Sequence, residues 1–336
     1  MATSGIELSL SPGSHLPAVS VVLPVLNEEL HLANAVKSIL TQDYAGELEI
    51  ILALGPSKDK TDEIAQSLAK SDSRIALVSN PSGKTAAGLN LAINKSSNPV
   101  IVRVDAHSEL QRDYISLAID VMKTSGAVNV GGIMGAQGVS LFEKSVAAAM
   151  RSPLGVGASR FHTGGQAGYV DTVYLGVFMR SAVIAVGGFD ERFIRAQDWE
   201  LNYRLRQAGG KIFFDPRLHV TYRPRSTVKA LAKQYFEYGR WRRVVSRRHQ
   251  GTINYRYLAP PFSLIATVLS ILLAVSINLI FVIPAAIYGA FIIIASVITG
   301  KGMSEKLLLP IVLFTMQMSW GLGFLTSPKT LAPSKG

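Results

Sequence analysis

Apolar and polar positions alternate between two periods over the first hundred residues. Residues 19–24 form a nearly unbroken apolar run that predicts a strand, and 29–40 predicts a helix with Leu32, Val36 and Ile39 on one face. A second strand follows at 48–54, a turn at Gly55-Pro56-Ser57, and a helix at 60–70 with Ile64 and Leu68 inward. A strand at 75–78, a helix at 85–94 and a strand at 100–104 complete the series. Such alternation implies a parallel sheet with helices on both faces and ligands at the carboxyl ends of the strands. The last strand, Val100-Ile101-Val102-Arg103-Val104, runs into Asp105-Ala106-His107 at such an end. No internal repeat and no low-complexity segment is visible.

Further along the pattern changes. From Ala259 to Thr299 there is no charged residue, a run of about forty where ~20 suffice to cross a bilayer once. A turn at Ser276-Ile277-Asn278 predicts spans near 259–276 and 279–298, with Pro284 tolerated in the first turns of the second. A third apolar stretch, 307–326, follows a loop holding Lys301, Glu305 and Lys306. The chain therefore parses into a tail (1–17), an α/β domain (18–225), a basic amphipathic juxtamembrane segment (226–257), a membrane domain (258–326) and a second tail (327–336).

Charge sharpens this division. The net charge is +11, and between Arg217 and Arg256 eleven Lys and Arg stand against one acid, Glu237. Because the block runs directly into apolar sequence, it is read as meeting anionic lipid headgroups rather than nucleic acid. The cluster Arg240-Trp241-Arg242-Arg243 with Arg247-Arg248 places that side in the cytoplasm, and Lys301 and Lys306 return to it after two spans. With three spans, Lys329 and Lys335 fall outside. There is no cysteine, so disulfides and thiolate metal sites are excluded. The first seventeen residues lack a basic start followed by an apolar core, so the expectation is a multi-pass inner-membrane protein with its leading domain in the cytoplasm.

The chemistry-bearing residues are few. Asp105 and His107 suit Mg²⁺ or Mn²⁺, the imidazole leaning toward Mn²⁺; the bland reading is a turn cap and a local hydrogen bond. Asp198 and Glu200 open a predicted helix and, two residues apart, cannot both face one pocket. One is the chemical group and the other a cap or ion-pair partner. Ser82-Gly83-Lys84-Thr85 is not a P-loop, since Val78 stands where the first glycine is needed, but Lys84 can meet a phosphate as a point charge. Gly187-Gly188-Phe189-Asp190-Glu191-Arg192-Phe193 supplies either a sugar-binding wall or a plain turn. His31 and His162 receive no role, and Asn94-Lys95-Ser96 is a glycosylation sequon that a cytoplasmic domain would not present to that machinery.

These residues together resemble something known. Val21-Val22-Leu23-Pro24-Val25-Leu26-Asn27-Glu28, Gly88-Leu89-Asn90-Leu91-Ala92-Ile93 and Val102-Arg103-Val104-Asp105-Ala106-His107 occur in order. Asp171-Thr172-Val173-Tyr174-Leu175-Gly176, Gly187-Gly188-Phe189-Asp190-Glu191 and Gln197-Asp198-Trp199-Glu200-Leu201 follow. Over roughly residues 18–245 the chain resembles the inverting family-2 glycosyltransferases of the GT-A fold, an α/β Rossmann-like mixed sheet with helices on both faces. Within them it is most similar to the bacterial exopolysaccharide, succinoglycan-type glucosyltransferase branch.

The resemblance implies a nucleotide-sugar donor, UDP-linked, lined by Pro24, Asn27, Glu28 and Lys84, with Asp105 and His107 at a Mn²⁺ or Mg²⁺ ion and the diphosphate. It implies Asp198 as general base and a polyprenyl-linked saccharide acceptor in cell-surface glycan synthesis. Two other readings stay open, a polyprenyl-phosphate sugar synthase and a catalytically inactive nucleotide-sugar-binding membrane scaffold. Three departures stand out. Leu54-Gly55-Pro56-Ser57 replaces an acidic base-reading run, and His107 replaces the second metal-motif acid. Glu237-Tyr238-Gly239-Arg240-Trp241 is all that remains of the processive Gln-x-x-Arg-Trp motif, which favours single transfer.

Overall fold

The computed structural model describes residues 16–331. Residues 1–15 of the expected N-terminal tail and 332–336 of the C-terminal tail, Lys335 included, lie outside the described residues. Contacts divide the chain into two units, 1–135 with 164–221, and 136–163 with 222–336.

The first unit is built on a nine-stranded sheet. Its strands are β1 (Val19–Val25), β2 (Leu48–Leu54), β3 (Ile75–Ser79), β4 (Val100–Arg103), β5 (Glu109–Leu110), β6 (Asn129–Ala136), β7 (Gly168–Tyr169), β8 (Tyr174–Met179) and β9 (Ile212–Tyr222). They lie in the order β3-β2-β1-β4-β8-β6-β9-β5, with β7 beside β9. The four strands expected from the alternation are parallel, as predicted. Beyond β4 the sheet turns antiparallel, β8 pairing with both β4 and β6 in reverse. The simple all-parallel expectation therefore holds only for the first half, and the mixed sheet that the resemblance implied is what forms. Val21, Val22, Leu23, Ile50, Ile51, Leu52 and Val102 are fully buried at its centre, which is why these strands read as unbroken apolar runs.

The helix expected from residue 29 begins at Leu32. Residues 28–31 are held back as a turn, with the Glu29 N–H donating to Asp59 and its carboxylate accepting from the Lys60 N–H. β1 has β2 on one side and β4 on the other. The strand order therefore reverses at β1, and the carboxyl ends of β1 and β4 flank the point where such sheets bind ligands.

The second unit is helical. Among the described residues, three helices are long and apolar enough to cross a membrane: Tyr255–Ser276, the continuous stretch Leu279–Thr299, and Met303–Thr326. They differ in how much protein covers them. In their most apolar windows 11% and 17% of residues are buried in the first two, against 39% in the third. The third is covered by the basic helix Val228–Arg248 and by Leu141–Met150, which Ser140 and Glu143 open with a reciprocal capping box. Gly239 lies against the Trp320 carbonyl and Gly323 against the Phe236 carbonyl, too close for any side chain.

The arginines of Val228–Arg248 are spent in this packing. Arg242 is buried with its guanidinium 3.7 Å from the centre of the Tyr257 ring, and it donates to the Thr252 carbonyl. Arg243 covers Phe324, Arg240 pairs with Glu237, and Arg247 donates to the carbonyls of Ser327 and Pro328. Of the cluster expected to face lipid headgroups, Arg242 is buried within the protein, whereas Arg247 is exposed. Of these four, Arg247 binds the end of the neighbouring helix, whose carbonyls lack intrahelical partners.

Candidate active site

The loops after β1 and β2 are stapled together. Asn27 adopts a left-handed backbone at φ 54°, a conformation asparagine tolerates better than most residues. Its N–H donates to Ser57 Oγ at 3.1 Å and its Oδ1 accepts from the Lys58 N–H at 2.8 Å. The Glu28 N–H donates to Thr61 Oγ1 at 2.7 Å. These bonds fix the rim where Pro24, Asn27 and Glu28 were expected to line a nucleotide. Asp59 belongs to the same staple, and its carboxyl is held below its ordinary range, chiefly by the Thr61 hydroxyl.

Asp105 and His107 emerge from β4 on the adjoining side. His107 is not bonded only locally, since its Nδ1 lies 2.9 Å from Glu28 Oε1 and so joins the β4 end to the β1 end. Asp105 accepts at Oδ1 from Arg103 Nη2 at 3.1 Å, and its Oδ2 has no hydrogen bond among the described residues. No group of three or more His, Cys, Asp or Glu side chains poised for a metal occurs among the described residues. One carboxylate beside one imidazole still fits a hard divalent ion, because Mg²⁺ in particular takes one or two protein carboxylates and completes its shell from phosphates and water. Lys84 is exposed, without an ion pair among the described residues, directly before the helix Thr85–Lys95.

The helix Gln197–Gln207 gives its two acids different partners. It starts from Ala196, which is left-handed at φ 60°, and no side chain caps it. Asp198 is therefore not spent as a cap. It is half-buried and forms an ion pair with Arg103. Glu200 is buried on the other side, bound at both carboxylate oxygens by Arg204 at 2.8 and 2.6 Å. Arg204 also donates to the carbonyls of Val186 and Gly188, so Glu200 anchors the Gly187–Gly188 turn. Asp198 thus pairs with the guanidinium that also meets Asp105, whereas Glu200 braces the turn.

That turn, expected as a wall or a plain turn, carries Phe189 to the site. Asn90 accepts from the Phe189 N–H and donates to its carbonyl, each at 2.8 Å. Gly188, at φ 71°, passes so close to the Asn90 side chain that a Cβ would collide with it. Burial works against the Asp190 carboxylate, yet hydrogen bonds from Arg192 hold its carboxyl below its ordinary range.

Arg103 is the residue the sequence reading passed over. It is 4% exposed, paired to Asp105 and Asp198, with its guanidinium 5.9 Å from the centre of the Phe189 ring. The signal was present, because a charged residue inside an otherwise apolar strand must be paired when it is buried.

Comparison with known proteins agrees with this architecture. The chain is 30% identical over 308 residues to succinoglycan biosynthesis protein ExoA of Rhizobium meliloti (strain 1021), covering 90% of this chain and 93% of that protein. It is 26% identical to the dolichyl N-acetyl-alpha-D-glucosaminyl phosphate 3-beta-D-2,3-diacetamido-2,3-dideoxy-beta-D-glucuronosyltransferase of Methanococcus voltae, covering 76% and 81% of the two chains. The mannosyltransferase PcManGT from Pyrobaculum calidifontis, solved with GDP-Man and Mn²⁺, superposes with a TM-score of 0.59 at 17% identity, covering 95% and 90% of the two chains. That likeness supports the GT-A-like fold. Residues 20–187 match glycosyl transferase family 2, and on that match together with the full-length relative the chain belongs to this family.

Proposed function

We propose that this protein moves a sugar, with inversion, from a UDP-linked donor to a polyprenyl-linked saccharide in cell-surface glycan synthesis. The observation that carries the reading is the convergence of Asp105 and Asp198, far apart in sequence, on one buried guanidinium. A donor-side acid beside a second, uncapped acid is the arrangement needed for leaving-group stabilisation next to a general base. The lipid-linked acceptor draws on the dolichyl phosphate in the name of the Methanococcus relative and on the apolar helices of this chain.

Asp198 accepts the proton of the acceptor hydroxyl as its oxygen bonds to the anomeric carbon. The bond from that carbon to the diphosphate breaks, and its electron pair leaves with the diphosphate. Lys84 meets the departing phosphate charge, and the stapled rim of Pro24, Asn27 and Glu28 holds the nucleoside. Asp105 and His107 would hold Mn²⁺ or Mg²⁺, which supplies Lewis-acid neutralisation of the leaving diphosphate. Among the described residues, Glu200 is taken by Arg204 and Asp105 is assigned to the donor side. No carboxylate is thus assigned as a nucleophile, and direct displacement with inversion is the reading.

The test is incubation of membranes holding the protein with a panel of radiolabelled nucleotide sugars and native lipid extract. Label in the organic-extractable fraction, with β-linkage from an α-linked donor, supports the reading. Label attached directly to a polyprenyl phosphate would instead identify a sugar-phosphate synthase. Donor binding without any transfer would identify a scaffold.

For the membrane unit we infer two crossings, with the third apolar helix lying across the open end of the first two. Ser270 bonds to the Phe281 carbonyl and the Ala285 N–H, as in an antiparallel hairpin. The third helix meets that hairpin's open end twice. Gly300 packs against Leu309 near its start, and near its end Gly321 packs on the Pro260 carbonyl while Trp320 stacks on Tyr257. Lys301, Lys306 and Lys329 then share the side of Arg247, in keeping with the positive-inside rule. Single cysteines in this cysteine-free chain test the arrangement. Ser276→Cys should react with an impermeant maleimide added outside intact cells and Lys329→Cys should not, whereas reaction of both would restore three spans.

A further inference from the structure

Arg103 is the last residue of β4 and is almost wholly buried, yet its planar fork reaches two carboxylates that the proposed chemistry keeps apart. Nη2 donates to Asp105 and Nη1 pairs with Asp198, while Phe189 lies against the guanidinium. Phe189 is itself fixed by two hydrogen bonds to Asn90. One rigid cation therefore touches the donor-side acid and the base-side acid, with an aromatic ring beside it. A buried charge paired in this way holds its partners at a set spacing, and arginine does so where lysine, a single point charge, cannot.

We propose that Arg103 is a positioning residue that couples the two halves of the reaction. It aims the Asp198 carboxylate for proton abstraction and at the same time weakens the hold of Asp105 on a divalent cation. The inference rests on the reading of Asp105 as the metal-side acid and Asp198 as the base. Its content is that one side chain acts on both sites with opposite sign. Losing it removes the support of the base and slows transfer. The same loss removes a positive charge from beside the cation site and tightens metal binding. A lesion that merely loosened the fold would weaken both.

The experiment measures Mn²⁺ binding to the purified, detergent-solubilised full-length protein by electron paramagnetic resonance, with UDP present and no sugar donor. Sugar transfer is measured in parallel, with kcat and donor KM separated. Arg103→Gln is expected to bind Mn²⁺ about tenfold more tightly, the scale set by removing a unit charge a few ångströms from a divalent ion at high effective dielectric. Its kcat is expected to fall by about 10²-fold or more, on the scale of losing a positioned general base. Arg103→Lys keeps the charge but not the fork, and should leave Mn²⁺ affinity and donor KM near wild type while kcat still falls.

Unchanged or weaker Mn²⁺ binding in Arg103→Gln overturns the proposal, as does normal kcat in Arg103→Lys. If Arg103→Gln does not fold, the Arg103→Lys kcat and KM decide. Two controls separate this inference from the reading beneath it. Asp105→Asn should lose Mn²⁺ binding and Asp198→Asn should lose transfer. If either control behaves as wild type, the site reading itself fails and the coupling falls with it.

Discussion

Arginines occupy two regions of this molecule in opposite ways. At the carboxyl end of β4 one arginine, Arg103, is surrounded by acids. In the helix Val228–Arg248, Arg242, Arg243 and Arg247 are turned toward rings and carbonyls. The first arrangement orders groups that can take protons and bind cations. The second joins the helix to its neighbours and brings no carboxylate to Arg242, Arg243 or Arg247 among the contacts described. Charge density in the sequence is far higher in the second region, yet the two acids proposed for the chemistry are in the first. What separates them is the partner, a carboxylate at a strand end in one case and a backbone or aromatic surface in the other.

Substitutions on either side should break the comparison in ranked order. Asp105→Asn should lower kcat by about 10²–10³-fold, the usual cost of removing one stabiliser of developing charge, with the melting temperature little changed. Gly323→Leu should do the reverse. Its side chain meets the Phe236 carbonyl, and overpacking of this kind costs about 1–3 kcal/mol or more, read as a lowered melting temperature in detergent. Arg247→Gln gives up two bonds to helix-end carbonyls at an exposed position, so a loss of about 1 kcal/mol with normal transfer is expected.

The smallest effect concerns pH. Burial pushes His162 down to about 4 from its ordinary value near 6.5, and its Nδ1 has no hydrogen-bond partner among the described residues. Between those two values the unfolded chain binds a proton that the folded chain refuses. The contribution to stability is therefore complete above about pH 6.5 and declines as pH falls toward 4. Melting temperatures at pH 7.5 and pH 5 should draw together in His162→Gln.

The legible part of the sequence was whatever periodicity and position control. The parallel strands of the first half, the strand-end position of Asp105 and the three apolar helices follow from patterns that neighbouring residues impose. The incompatibility of Asp198 and Glu200 was legible too, because helix geometry forces them apart. That Glu200 braces the Gly187–Gly188 turn depended on Arg204, whose reach to the Val186 and Gly188 carbonyls no local pattern encodes. The antiparallel second half depended on pairing between distant strands. In the basic helix composition reports charge but not its partner, and Gly239 and Gly323 permit a close approach that shows only once both helices are in place.

The central claim is that Asp198 is the base of a sugar transfer whose donor is held at Asp105. It is tested most directly by comparing wild type and Asp198→Asn for both donor binding and transfer to extracted lipid. Donor affinity within about twofold of wild type, with transfer reduced by about 10²–10⁴-fold, is the predicted result. Transfer at a near-normal rate in Asp198→Asn would contradict it and return the base to an unidentified group.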